Sequence, residues 1–101
     1  MTPVEGKFAL RVPNDVAAVL KKLHPAIKSQ VRAGVGSILA NPYCGKALKD
    51  ELHGLRSYRV KRFRIIYRIK AKKRHIEIIA VGPRRIIYEE TFRILSRNRH
   101  S

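Results

Sequence analysis

The sequence predicts an α+β domain: a helical hairpin packed on a mostly antiparallel four-stranded sheet, in the order β-α-α-β-β-β, with a short C-terminal helix or tail. Two observations carry that prediction. Apolar residues recur at helical spacing from Val16 to Leu39, and from Arg56 onward the period changes to two. A third bounds it: 101 residues can bury one small core and not two, so residues 1–101 read as a single domain.

The elements follow in order. Lys7 to Val12 alternates as a short strand with Phe8, Leu10 and Val12 on one face, and Pro13 ends it. Asn14 is a suitable N-cap for a helix that begins at Asp15. In that helix Val16, Val19, Leu20 and Leu23 form one stripe, and Asp15 and Lys21/Lys22 suit the two ends of its dipole. Pro25 breaks this helix and can start the next, in which Ile27, Val31, Val35, Ile38 and Leu39 share a face. Gly34 and Gly36 each cost that helix about 1 kcal/mol relative to alanine, a cost that close packing against the first helix would explain. It ends before Asn41-Pro42, and residues 41–54 read as a loop. Arg56 to Lys70 then reads as two strands and His75 to Gly82 as a third, apolar on both faces and therefore covered on both. The tail from Ile87 reads as a short helix that frays over residues 96–101.

Charge narrows the function. The chain carries 23 Lys and Arg against 7 Asp and Glu, a formal net charge of +16. Self-repulsion on that scale calls for a polyanionic or acidic partner: nucleic acid, the ribosome or an acidic protein. Seven scattered acids leave little room for a hydrolase built on metal-binding carboxylate pairs. His24, His53, His75 and His100 are dispersed without ligand spacing, so no metal is expected. The lone Cys44 excludes an internal disulfide and reads as a spectator thiol. The first six residues lack the apolar run of a secretory leader, and no stretch approaches a membrane span. A reducing, cytoplasmic compartment is expected.

The cations concentrate in one hairpin. No acid occurs between Glu51 and Glu77. With a turn centred on Lys61-Arg62, Tyr58 meets Ile65, Val60 meets Phe63, and the apolar faces of the two strands coincide. The same register sets Arg59 opposite Arg64 on the other face. Like charges directly opposed destabilise a sheet, and the pair makes sense if an anion such as phosphate bridges it. Lys-Arg is poor chemistry for a two-residue turn, so a four-residue loop of the same parity is expected. Gly82-Pro83-Arg84-Arg85 can return two more arginines to this corner, followed by Tyr88.

The run Leu48-Lys49, Leu52-His53-Gly54-Leu55, Tyr58-Arg59-Val60, Phe63-Arg64-Ile65-Ile66-Tyr67, then Val81-Gly82-Pro83-Arg84-Arg85 and Tyr88, resembles the RelE/ParE superfamily. With the helical Leu20-Lys21-Lys22-Leu23 before it, the likeness spans about residues 7–90. It implies a toxin of a type II toxin–antitoxin pair, held by a RelB-like antitoxin that wraps it with acidic and apolar segments. RelE-type members enter the ribosomal A site and cut mRNA with the RNA's own 2′-hydroxyl, using neither metal nor cofactor. ParE-type members share the fold, lack the catalytic set and poison DNA gyrase. Carried over by position, the resemblance implies catalytic roles for Lys61, Arg64, Arg84 and Tyr88. It implies RNA-binding roles for Arg59, Arg62, Arg85, Lys49 and Arg56. Arg59 stands where RelE-type proteins have a lysine, and arginine does not act as a base.

Such a site would stabilise the charge of a phosphorane with fixed cations, and Lys61 and Tyr88 are the titratable side chains at hand. Lysine and tyrosine ordinarily titrate near pH ~10, poorly matched to proton transfer at neutral pH, so the expected enzyme depends on the ribosome to hold mRNA in line. Two other readings stand beside it: a gyrase-binding toxin without nuclease activity, and a plain basic RNA-binding or ribosomal protein, to which the two apolar helical stripes are foreign.

Overall fold

The structure is a computed structural model that describes residues 8–100, with side chains through residue 96. Strand β1 (Ala9–Arg11) leads into helices α1 (Asn14–Lys21) and α2 (Pro25–Ala40). Strands β2 (Lys46–Ala47), β3 (Arg56–Val60), β4 (Phe63–Lys70) and β5 (His75–Pro83) follow, and helix α3 (Ile87–His100) ends the chain. The sheet has the order β1-β5-β4-β3-β2; β1 runs parallel to β5 and the other neighbours are antiparallel.

The α+β architecture and the helical stripes match expectation. Val16 on α1 and Val31 and Ile38 on α2 are buried against Val60, Ile65, Tyr67, Ile76 and Ile78 of the sheet. The β3–β4 register also matches, with Tyr58 opposite Ile65, Arg59 opposite Arg64 and Val60 opposite Phe63. Strand β5 lies between β1 and β4 and is apolar towards both sides: Ile76 and Ile78 face the α1/α2 core, and Ile79 and Ala80 the opposite cluster.

Several details differ. The sheet has five strands, because Lys46 pairs with Ser57 and Ala47 with Arg56; a two-residue edge strand is too short to show a period. The helices are not confined to one face. α3 runs through His100 rather than fraying from residue 96, and its Ile87, Tyr88, Ile94 and Leu95 pack with Leu55, Ile66 and Ala80 on the second face. Pro13, not Asn14, occupies the N-cap of α1, and no side chain caps it. The hairpin closes with two residues rather than four, which Lys61 permits by adopting φ +56. Lys7, the expected start of β1, and Ser101 lie outside the described residues.

Of the two glycines of α2, Gly34 answers to the sheet and neither to α1. A Cβ on Gly34 would sit 2.8 Å from Val60 Cγ2 and 3.2 Å from Ile65 Cδ1, whereas one on Gly36 would meet nothing within 4 Å. Gly34 therefore lets α2 settle directly on the β3–β4 hairpin. The expected loop over residues 41–54 is pinned from the same side. The buried Tyr67 phenol donates to the Pro42 carbonyl at 2.7 Å and accepts the Gly45 N–H at 3.0 Å. Burial raises the Tyr67 pKa above its ordinary 10.0, with the Gly45 hydrogen bond pulling the other way.

Two predictions follow from this packing. Gly34→Ala should destabilise by about 1–3 kcal/mol through overpacking, while Gly36→Ala should stabilise by up to about 1 kcal/mol, both read from urea midpoints. Tyr67→Phe leaves two buried backbone groups unpaired and should cost about 1–3 kcal/mol. Because folding raises this phenol's pKa, its contribution is fully present below pH 10 and is lost as pH rises through the folded value. The stability gap between wild type and Tyr67→Phe should thus be constant up to about pH 9 and shrink above about pH 10; a gap that widens there contradicts the assignment.

Candidate nucleic-acid interface

The β3–β4 hairpin positions the cations by alternation. Tyr58, Val60, Phe63 and Ile65 point at α1 and α2, so Ser57, Arg59, Arg64 and Ile66 point at the opposite face. Arg59 and Arg64 are direct cross-strand partners, which sets their Cβ atoms about 5 Å apart. Arg59 is exposed and Arg64 half-buried, and the Arg64 Nε is buried without a hydrogen-bond partner. Further along the same face Arg68 and Lys70 share Glu77, at 3.3 and 3.8 Å. Arg68 and Lys70 thus share one carboxylate, whereas the Arg59–Arg64 end has no carboxylate partner among the described residues.

The other expected residues distribute unevenly around this pair. Lys61 and Arg62 form the exposed turn. Arg84 is tied to that turn, its backbone N–H donating to the Arg62 carbonyl at 2.8 Å, and both Arg84 and Arg85 are exposed. Gly82 lies opposite Arg64. A Cβ there would stand 3.0 Å from Ile87 Cδ1, so glycine allows the first turn of α3 to seat on the sheet beside Arg64. Tyr88 follows Ile87, and its phenol lies 3.2 Å from the Ser57 hydroxyl, on the face that carries Arg59. Lys61, Arg62 and Arg84 at the turn, Arg59 and Arg64 beside it, and Tyr88 over Ser57 therefore form a row that runs from the hairpin turn to the start of α3.

Lys49 stands apart from the pair. It is exposed beside the Asp50–Leu52 turn and lines an open cleft of about 390 Å³ with Lys46, Leu48, Asp50, Leu52 and Tyr88. Arg56 is not brought to the corner. Its Nε donates to the Gly45 carbonyl at 3.0 Å, an Nη to the Tyr43 carbonyl at 3.2 Å, and its guanidinium lies 5.4 Å from the Tyr43 ring centre. It sits opposite Tyr67, on the α2 side, and clasps the same segment that Tyr67 holds. Sequence reasoning passed over Ser57. The signal was its place two residues before Arg59, which puts it on the same face.

Among the described residues no group of three or more His, Cys, Asp and Glu converges as a metal site, and no helix is long and apolar enough to cross a membrane. The arrangement can bind a phosphodiester between fixed guanidinium groups, with a phenol and an ammonium at its margins.

Comparison with known proteins bears on the family and the fold. The family model described as "ParE-like toxin of type II bacterial toxin-antitoxin system" matches residues 10–91. A search of curated proteins found no match. Among solved structures, the chain is similar to the toxin–antitoxin complex RelBE2 from Mycobacterium tuberculosis, at 30% identity and TM-score 0.71 over 77% of this chain and 99% of that one. It is also similar in fold to a mutant of Escherichia coli RelE in the free state, at 15% identity and TM-score 0.75 over 91% of this chain and 97% of that one. The archaeal RelE–RelB complex from Pyrococcus horikoshii shares the fold at 21% identity and TM-score 0.64, over 77% of this chain and 96% of that one. By the family match and the mycobacterial relative, this chain belongs to the ParE-like toxins of type II bacterial toxin–antitoxin systems, within the RelE/ParE superfamily.

Proposed function

We propose that this toxin is a ribosome-dependent mRNA endonuclease, cutting in the A site by attack of the RNA 2′-hydroxyl, and that a RelB-like antitoxin holds it in check in the cytoplasm. The observation that carries the reading is the directly opposed Arg59–Arg64 pair, lacking a carboxylate partner, with the Tyr88 hydroxyl fixed on the same face. The pair alone costs stability; an RNA phosphate supplies the missing negative charge, and the phosphorane, with its added charge, supplies more of it.

The reaction balances without water. The 2′-oxygen bonds to phosphorus, the bond to the 5′-oxygen breaks, and the proton lost by the 2′-hydroxyl is matched by one gained at the 5′-oxygen. Arg59 and Arg64 neutralise the non-bridging oxygens, and Arg84, tied to the hairpin turn, adds a third guanidinium. The two proton-transfer candidates flank this row. Lys61 lies in the turn, and Tyr88 lies over Ser57, about 13 Å back along β3. In-line attack needs its acid and base on opposite sides of phosphorus, and long side chains from the two ends of the row meet that demand. Arg62, Arg85 and Lys49 surround the row with further charge for the RNA backbone. Arg56 takes no part in this scheme, because the 43–45 backbone engages it.

The matched family is described as ParE-like, and position 59 holds arginine rather than lysine. Both favour a second reading, a gyrase-binding toxin with no nuclease activity. Purified protein incubated with programmed ribosomes separates the two, with mRNA ends mapped by primer extension. Arg64→Ala should lower the cleavage rate about 10²–10³-fold and Tyr88→Phe about 10²–10⁴-fold. The nuclease reading falls if wild-type protein makes no cuts, and replication arrest on expression in cells then supports the gyrase reading. Independently, phosphate should raise the melting temperature above that in chloride at equal ionic strength, and Arg59→Ala or Arg64→Ala should remove most of the gain. An equal gain in both variants would place anion binding elsewhere.

A further inference from the structure

Ser57 is the second residue of β3, is only 2% exposed, and lies opposite the fully buried Ile66. Its strand neighbour on the same face is the buried Leu55 on one side and Arg59 on the other. A hydroxyl in such surroundings needs a partner. The one it has among the described residues is the phenol oxygen of Tyr88, at 3.2 Å. Among the described residues it is also the one side-chain hydrogen bond that joins α3 to the sheet. The buried Thr91 hydroxyl turns back to the Ile87 carbonyl of its own helix. Packing alone would be served as well by alanine at position 57, so the hydroxyl serves the phenol.

We propose that Ser57 is a positioning residue, which holds the Tyr88 phenol one pleat away from Arg59 and matches it with a hydrogen bond whose direction can reverse. The inference rests on the nuclease reading in taking Tyr88 as a group that meets RNA. The geometry suits that role. Ser57 and Arg59 are two residues apart on one face, so the phenol is fixed about 7 Å along the strand from the first guanidinium of the row. Either oxygen of the pair can donate. When the phenol proton points at a substrate oxygen, the Ser57 O–H donates to the phenol oxygen. When the phenol has given that proton up, the same Ser57 O–H remains on the phenolate. An alanine leaves the ring free to turn about its side-chain bonds and leaves the phenolate one donor short.

The test is a double-mutant cycle on programmed ribosomes with saturating toxin, joined to NMR of protein labelled at the tyrosine Cζ carbons. Ser57→Ala should lower the single-turnover cleavage rate about tenfold, the value of one lost hydrogen bond, and leave the half-saturating toxin concentration unchanged. In the Tyr88→Phe background the same change should have no further effect. Ser57→Thr, which keeps the hydroxyl, should retain the wild-type rate. The Tyr88 Cζ resonance should move in Ser57→Ala and stay in Ser57→Thr. Cleavage by Ser57→Ala at the wild-type rate, with Tyr88→Phe impaired, overturns the proposal and leaves the nuclease reading standing. An equal loss from Ser57→Ala with and without the phenol also overturns it, because the serine then acts through something else. If wild-type protein makes no cuts, the nuclease reading fails by itself and the resonance decides: a Tyr88 signal unmoved in Ser57→Ala overturns the placement, and a displaced one supports it.

Discussion

A slip of one residue between β3 and β4 would turn one strand over: either Tyr58 and Val60 would leave the helices with Arg59 entering the core, or Phe63 and Ile65 with Arg64. The pairing of Val60 with Phe63 forbids it, and everything else in the molecule is arranged around that pairing. The same register that completes the apolar surface under α2 sets two guanidinium groups side by side on the other face. Two unfavourable features meet at this corner: the opposed arginines, and a lysine in the left-handed region at the turn, where a non-glycine residue costs about 1–2 kcal/mol. The buried face of the hairpin holds both in place. Local conflict tolerated by a well-packed scaffold is the usual mark of a functional corner.

The charge on the sheet is directional as well as large. Glu77 serves Arg68 and Lys70 at one end of β4, and Glu90 takes up Arg93 on α3. Among the described residues no carboxylate pairs with Arg59 or Arg64, which lie where the turn, Arg84 and the start of α3 converge. An anion at that corner relieves repulsion that the folded chain cannot relieve by itself. Binding and stability are therefore coupled, whichever polyanion is the cellular partner.

Helix α3 gives the corner its third wall. Gly82 admits Ile87 to the sheet, Ile87 seats the helix, and the next residue, Tyr88, reaches Ser57. A side chain at position 82 would press on the Ile87 Cδ1 methyl, which would have to give by a few tenths of an ångström. On the other face, Gly34, Gly45, Tyr67 and Arg56 do the corresponding work of seating α2 and the 42–45 segment. Three arginines of β3 and β4 accordingly divide into two kinds: Arg56 is bound to backbone carbonyls, while Arg59 and Arg64 have no acid partner among the described residues.

What the sequence by itself determined is what depends on neighbours in the chain. The helical stripes from Val16 to Leu39, the strand pair over residues 56–70 and its register, and the gathering of Arg59, Arg64 and Arg84 follow from periods and parity. Those patterns are written in consecutive residues. The two-residue turn, strand β2, the length of α3 and its seat on the second face, the diversion of Arg56 and the Ser57–Tyr88 bond were decided by the tertiary structure. Each depends on atoms brought together from distant positions or on packing that overrides local preference. Arg56 and Arg59 are equivalent in composition and three residues apart. Alternation along β3 points them at opposite faces and by parity sets Arg59 beside Arg64, but only the fold brings the Tyr43 and Gly45 carbonyls within reach of Arg56.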